Sequence, residues 1–312
     1  MIRLIAVDMD GTLLGEGGVV SARNLAAIRA AEAAGVRVVV ATGRRHSYAM
    51  RQLRGLNLSD DHVLISSNGA VTRMLGYGAR LLDRTFLAEE TSLWLCQHLD
   101  EFRNALVVTF DLVGEDGEDA RGALVVEELA DLHASIERWV DQNKAYIECV
   151  VPIENALRNA TPIQMMVCGT IDRMSRAEAR LLEDPRVAFT GLAQPELHPE
   201  ARVSLSRTQY PERNLSIVDI LPAGCSKGVA LTRLANEWNI PTSEILAIGD
   251  NWNDLSMFEI AGQAVLMENA PADLKTLAAE RNWLIGKTNL ADGVAEAIES
   301  SLLTGQAEPA GR

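Results

Sequence analysis

The sequence predicts an α/β fold: a Rossmann-like parallel sheet core covered by helices, with an α+β module inserted into it. Three observations lead there. Short apolar runs alternate with amphipathic stretches over the first 70 residues, and the same alternation returns after residue 210. Between them the texture changes, and strand-like runs arrive in groups.

The elements follow in order. "IRLIAV" reads as a strand, "SARNLAAIRAAEAAG" as a helix, "VRVVVA" as a second strand, then a polar helical stretch, then "HVLISS" as a third strand. Ser21 fits the helix N-cap, where its hydroxyl can accept a free backbone N–H, and Gly35 fits the left-handed position after the last turn. Strands apolar at every position belong in a sheet covered on both faces. After residue 210 come a helix from about Lys227 to Trp238, the strand "EILAIG", a helix around 255–260, "QAVLM", a helix from Ala272, "NWLIG" and a last helix after Asp292. The two ends therefore complete one domain, residues 1–83 and 210–312, and residues 84–209 form the insertion. In the insertion "ALVVTFDLV", "GALVVE", "AYIECVV", "PIQMMVCG", "VAFTG" and "ARVSLSR" read as strands, and 89–103, 131–142 and 172–184 as helices. The pair Met165 and Met166 reads as core. The final "LTGQAEPAGR" reads as a loose tail.

With 312 residues, 47% of them hydrophobic and 23% charged, the chain can bury two cores. A net charge of −14 without a cluster of Lys and Arg argues against a nucleic-acid partner. A small anion remains a fitting partner if the site supplies positive charge locally. The four cysteines, Cys96, Cys149, Cys168 and Cys225, contain no C-x-x-C pair and read as buried reduced thiols. The N-terminal apolar run is too short and too acidic for a signal peptide, and no run reaches the roughly 18 apolar residues of a membrane span. A cytoplasmic protein with no membrane partner is expected.

Four strand ends carry chemistry. "LIAVDMDGTLL" places Asp8 and Asp10 where an apolar strand turns, two residues apart and so on one side of an extended chain. "VVVATGRR" ends in Thr42, Gly43 and Arg44, a hydroxyl, a closely approachable N–H and a fixed cation, a set that can hold a phosphate. "CSKG" puts Lys227 at a helix start, where ammonium and helix N-terminus can face an anion together. "AIGDNWNDLSMF" gathers Asp250, Asn253 and Asp254 in one loop, oxygen ligands of the kind magnesium prefers. Singly, each also reads as an ordinary turn or cap. His46, His62, His98, His133 and His198 share no metal-ligand spacing.

Taken in order, "DMDGTLL", "ATGR", "SNGA", "SKG" and "GDNWND" resemble the motifs of the haloacid dehalogenase superfamily, in its Cof-type phosphatase branch. The resemblance runs from Ile2 to about Ile298, and the insertion lies where that branch carries its cap domain. It implies a magnesium-dependent phosphatase that hydrolyses small phosphorylated metabolites, such as sugar phosphates, through an aspartyl phosphate. Asp8 would be the nucleophile and Asp10 the acid and base. Magnesium (Mg2+) would be held by Asp8, the Asp10 carbonyl and Asp250. Lys227 would add a second cation and touch the phosphate, with Thr42, Gly43 and Asn253 on the phosphoryl oxygens. Arg44 would reach substrate or form an ion pair. Asp254 would support the metal or position Lys227, and Asn68 would serve the turn toward the cap or stand near the site. Glu268 departs from the small residue usual in that branch, and Trp252 would line the entrance, pack on the cap or anchor the interior. A phosphomutase of the same superfamily is the nearest alternative. A non-catalytic binding or regulatory protein is the other, and intact Asp8, Asp10, Lys227 and Asp250 speak against it.

Overall fold

A computed structural model describes residues 1–306 except 57, 59–60, 77, 130–131, 133–135, 159 and 190–199. The chain first builds β1 (Leu4–Asp8), α1 (Ala22–Ala33), β2 (Arg37–Ala41), α2 (His46–Leu53), β3 (Val63–Ser66), β4 (Val71–Met74) and β5 (Leu81–Arg84). The middle supplies α3 (Glu89–His98), β6 (Leu106–Thr109), β7 (Leu124–Val126), α4 (Glu137–Asn143), β8 (Ile147–Cys149), α5 (Glu154–Leu157), β9 (Gln164–Gly169), α6 (Ile171–Leu182), β10 (Val187–Phe189), β11 (Val203–Tyr210) and β12 (Leu215–Pro222). It returns through α7 (Lys227–Glu237), β13 (Ile245–Gly249), α8 (Leu255–Ile260), β14 (Gln263–Leu266), α9 (Ala272–Glu280), β15 (Leu284–Ile285) and α10 (Gly293–Gln306). Leu303–Gln306, expected in the loose tail, thus belong to α10; the rest of that tail lies outside the described residues.

The first sheet has the order β15-β14-β13-β1-β2-β3-β4-β5. It is parallel through β3, and β4 and β5 add an antiparallel edge. The helices between parallel strands begin and end as the sequence chemistry requires. Ser21 Oγ accepts from the Asn24 N–H at 3.0 Å, and Gly35 takes φ +82° just past α1. Period-2 alternation divides each buried strand between two apolar layers. Ile5, Val7, Val38, Val40, Leu246 and Ile248 pack with α1 and α10, while Leu4, Ala6, Val39, Ala41, Ile245 and Ala247 pack with α7, α8 and α9. Each Val, Leu or Ile among them contributes roughly 1.5–3 kcal/mol by leaving water, which fixes the register of the strands and hence where their ends stand.

One boundary differs from the sequence reading. The chain turns at Asn68 but stays in the first sheet, which the antiparallel pair β4 and β5 extends to Arg84. The second sheet, however, does not stop at 209. Its order is β10-β11-β12-β9-β6-β7-β8, and β12 pairs along its whole length with β11 before pairing with β9. A break at 209 would cut that hairpin. Residues 215–222 escaped notice because Ser216 and Asp219 interrupt the apolar run, although the strand is buried almost throughout.

The second sheet also divides by alternation. Met165, Val167, Val203, Leu205, Val218 and Ile220 pack with α3 and α6. Thr109, Gln164, Met166, Thr208, Ile217 and Asp219 point the other way and line a cleft shared with the first domain. Met165 and Met166 are both buried in apolar clusters, as expected, Met165 in the layer under α3 and α6 and Met166 on the opposite face, where it also lines the cleft. Cys96, Cys168 and Cys225 are buried, and burial pushes each thiol up to about 12, so they stay protonated. Cys149 is exposed, against expectation, because it ends the edge strand β8. Among the described residues no helix is long and apolar enough to cross a membrane.

Candidate active site

β1 stands between β13 and β2, so the chain leaves it to one side and returns on the other. At such a switch point the loops diverge and open a crevice beyond the carboxyl ends of the strands. The ends here are Asp8, Ala41, Ser66 and Gly249, and the loops that follow them carry the motif residues.

β1 ends at Asp8, and the chain turns at once, with Leu13 N–H donating to the Asp8 carbonyl at 3.1 Å and Leu14 N–H to that of Met9 at 2.9 Å. Asp10 therefore stands in the turn and not on a common strand face with Asp8. The fully buried Met9 anchors the turn, and both carboxylates still line the cleft, a cavity of about 470 Å³. Gly11 is held at φ +78°, and a Cβ there would lie 2.3 Å from Asp250 Oδ2, so only glycine lets the two loops approach.

Lys227 opens α7, whose N-cap Ser226 accepts from the Val229 N–H at 3.1 Å. Its ammonium is fully buried and donates to Asp8 Oδ1 at 2.6 Å and to Asp254 Oδ1 at 2.7 Å. Asp254 Oδ2 accepts from the N–H groups of Asp250 and Asn251 at 3.0 and 3.1 Å, so both its oxygens are taken. Of its two expected roles, this geometry matches the positioning of Lys227. Asp250 accepts from Thr12 Oγ1 at 2.9 Å and from Asn269 Nδ2 at 3.4 Å.

The electrostatics leave the cluster short of positive charge. Ligand atoms of Asp8, Asp250 and Asp254 lie within 4.8 Å of one another, and among the described residues Lys227 is the one cation hydrogen-bonded to them. Burial, reinforced by Asp254 and Asp10, raises Asp8 to about 7 against the pull of Lys227. Burial and the neighbouring Asp8 and Asp254 push Asp250 up as well. For Lys227, burial opposes the charge, but Asp254 and Asp8 outweigh it and raise its pKa. Three carboxylates against one ammonium, with oxygen donors only, fit a hard divalent cation such as magnesium. Asp8 and Asp250 are the carboxylates that would hold it, since Asp254 is fully engaged.

The loop after β2 is stitched to the loop after β3. Thr42 N–H donates to the Ile65 carbonyl at 2.8 Å, Asn68 N–H to that of Thr42 at 3.0 Å, and Ser67 N–H to that of Arg44 at 2.8 Å. Thr42 Oγ1 accepts from the Arg44 N–H at 3.1 Å. Asn253 Nδ2 donates to Asn68 Oδ1 at 3.1 Å, which brings "SNGA" and "GDNWND" together. Of the two expectations for Arg44, substrate or an ion pair, the structure shows the ion pair, with Asp10: Nε meets Oδ2 at 2.7 Å and Nη2 meets Oδ1 at 2.5 Å, while the guanidinium also covers Tyr48 and donates to Gln52. The reason is proximity, because adjacent β1 and β2 place Arg44 beside the turn that carries Asp10.

Trp252 packs partly buried against the first-domain core, with Arg207 of β11 5.2 Å from its ring, so it lies where the two domains meet. Glu268 is exposed and does not line the cleft. His46 is buried and driven down to about 4 by burial, then by Arg73; His62 pairs with Glu32 at 2.5 Å, and His98 lies 3.0 Å from the Arg180 carbonyl. His133 and His198 lie outside the described residues. Sequence reasoning passed over Thr12, Asn269, Gln164 and Asp219. Asp219 did carry a signal, the same one that drew attention to Asp8: a carboxylate inside an apolar strand.

Comparison with known proteins agrees with this architecture. A family model described as haloacid dehalogenase-like hydrolase matches residues 5–298. The chain is 32% identical to "5-amino-6-(5-phospho-D-ribitylamino)uracil phosphatase YwtE" of Bacillus subtilis, over 98% of this chain and 99% of that one. A haloacid dehalogenase-like hydrolase from Bacteroides thetaiotaomicron superposes with a TM-score of 0.69 at 24% identity, covering 96% of this chain and 100% of the other. A structure described as the HAD subclass IIB sugar phosphatase BT4131 superposes at 0.70 with 20% identity, covering 96% and 99%. With its site at the strand ends of such a sheet, the chain belongs to the haloacid dehalogenase-like hydrolase family, in the Cof-type branch, as a phosphoric monoester hydrolase.

Proposed function

We propose that the protein is a magnesium-dependent phosphatase that cleaves a small phosphorylated metabolite through an aspartyl phosphate on Asp8. The observation that carries this reading is the buried Asp8–Lys227–Asp254 pairing beside Asp250, at neighbouring strand ends. Asp8 Oδ2 would attack phosphorus while Lys227 holds Oδ1 and offsets the charge that builds on the phosphoryl group. When bound at Asp8 and Asp250, the divalent cation would supply the further positive charge that lets one anion approach another. Asp10 would give its proton to the leaving oxygen and then take one from the water that hydrolyses the acyl phosphate. Thr42, the Gly43 N–H and Asn253 would hold the phosphoryl oxygens. Arg44 would fix the direction in which Asp10 points.

For the leaving group, the second sheet and α4 offer two surfaces. Thr109, Gln164, Thr208 and Asp219 are polar; Trp139, Met166 and Ile217 are apolar or aromatic. Hydroxyls suit the first and a planar ring the second. That combination supports a phosphorylated polyol carrying a ring, the kind of compound named for the Bacillus subtilis relative, more than a compact sugar phosphate. The test is phosphate release from a panel that includes 5-amino-6-(5-phospho-D-ribitylamino)uracil, ribitol 5-phosphate and hexose 6-phosphates. A kcat/KM for the first compound at least about tenfold above the others is expected. Preference for a hexose phosphate would overturn the substrate reading, and isomerised hexose 1-phosphate without free phosphate would overturn the hydrolase reading.

A further inference from the structure

The second domain sends one carboxylate into the core of the site. Asp219 sits mid-strand in β12, where Val218 and Ile220 face the apolar layer and Asp219 faces the first domain. It is 5% exposed. Oδ2 accepts from Asn68 Nδ2 at 2.8 Å, and Oδ1 accepts from Gln164 Nε2. Asn68 itself is buried, held at φ +51°, and accepts at Oδ1 from Asn253 Nδ2 at 3.1 Å. Its amide also fills the space beside Gly43: a Cβ there would lie 3.2 Å from both Asn68 Nδ2 and Oδ1. One amide thus touches both segments assigned to the phosphoryl oxygens.

We infer that Asp219 is a positioning residue for the phosphate-holding groups, acting through Asn68 to fix which way the Asn253 amide faces. This rests on the reading of Gly43 and Asn253 as phosphate holders. A carboxamide can turn over and exchange donor for acceptor at almost no change in shape, but an ionised carboxylate only accepts. Because Asp219 accepts, Asn68 must offer it the NH₂ and turn its oxygen to Asn253. Asn253 must then offer its own NH₂, and the second N–H of that group is left to donate to a phosphoryl oxygen. Gln164 holds the other carboxylate oxygen and so keeps Asp219 from turning away. Since Asp219 belongs to the inserted domain and Asn68 to the core, the direction is set only while the two are together, which ties grip on the phosphate to seating of the cap.

The test compares the parent protein, Asp219→Asn, Asn68→Ala and the double variant at pH 8 with magnesium. The readout is inhibition of p-nitrophenyl phosphate hydrolysis by inorganic phosphate, a ligand that has no leaving group for the cap to recognise. Asp219→Asn should raise the phosphate inhibition constant about tenfold, although its side chain does not touch the phosphate. Asn68→Ala should do the same, and the double variant should be no worse than Asn68→Ala alone. A parental phosphate constant in folded Asp219→Asn, or losses that multiply in the double variant, overturns the inference. Should Asp219→Asn fail to fold, Asn68→Ala decides it: a tenfold loss supports the relay and a parental constant rejects it. If the parent does not turn over p-nitrophenyl phosphate at all, that result falls on the phosphatase reading. Calorimetric binding of inorganic phosphate to the same proteins then still decides the relay.

Discussion

At the scale of single residues, Asp8 and Lys227 depend on each other. A lysine with no exposed surface would lose its proton to desolvation unless anions held it, and a carboxylate as buried as Asp8 would stay protonated unless cations did. Replacing Asp8 by Asn should lower kcat by at least about a thousandfold, since it removes the nucleophile. Circular dichroism should show the variant folded, and near-parental phosphate release would refute the assignment. Asp219 gives a second prediction, about stability. Burial raises its pKa from 3.8 to about 7, against the hydrogen bonds from Asn68 and Gln164 and the charge of Lys227. The folded state then holds a proton that the unfolded state releases near pH 4, so stability falls as pH rises from about 4 to 7 and levels off above. Melting curves across that range should slope less for Asp219→Asn than for the parent; equal slopes would show that Asp219 does not titrate there.

At the scale of elements, strand ends and helix starts do the positioning. β13 ends at Gly249, where a Cβ would stand 2.5 Å from Asp254 Oδ2, so the strand must finish without a side chain for the carboxylate to cap the following turn. Gly249→Ala should cost roughly 1–3 kcal/mol through overpacking. It should also reduce turnover, because Asp254 can no longer hold Lys227 where Asp8 needs it; denaturant melts and phosphate-release assays read the two effects separately. α2 provides a different link. Arg45, buried at its start, reaches Asp119 and Asn143 of the inserted domain, and Arg51 donates to the Gln142 carbonyl at 2.7 Å. The helix that follows the phosphate loop is therefore also a seat for the cap.

At the scale of the whole molecule, two sheets face each other across one charged cleft, and the parts of the site come from residues as far apart in the chain as Asp8 and Lys227. A cation bound at Asp8 and Asp250 would relieve their mutual repulsion only in the folded protein. Magnesium at a hundredfold excess over its Kd should therefore add about 2.7 kcal/mol to stability, and EDTA should remove both this gain and turnover. A melting temperature indifferent to magnesium, with activity surviving EDTA, would rule out the metal site. The sequence by itself determined the alternating layers, the helix cap at Ser21, and the motif residues at strand ends. Those depend on local periodicity and on residue types with few conformational options. Tertiary structure alone decided that β12 belongs to the second sheet, that Arg44 turns to Asp10, and that Asn68 joins Asp219 to Asn253. Each of these depends on partners brought together by strand pairing and burial across long stretches of chain, and no local pattern in the sequence records which partner a buried polar group will meet.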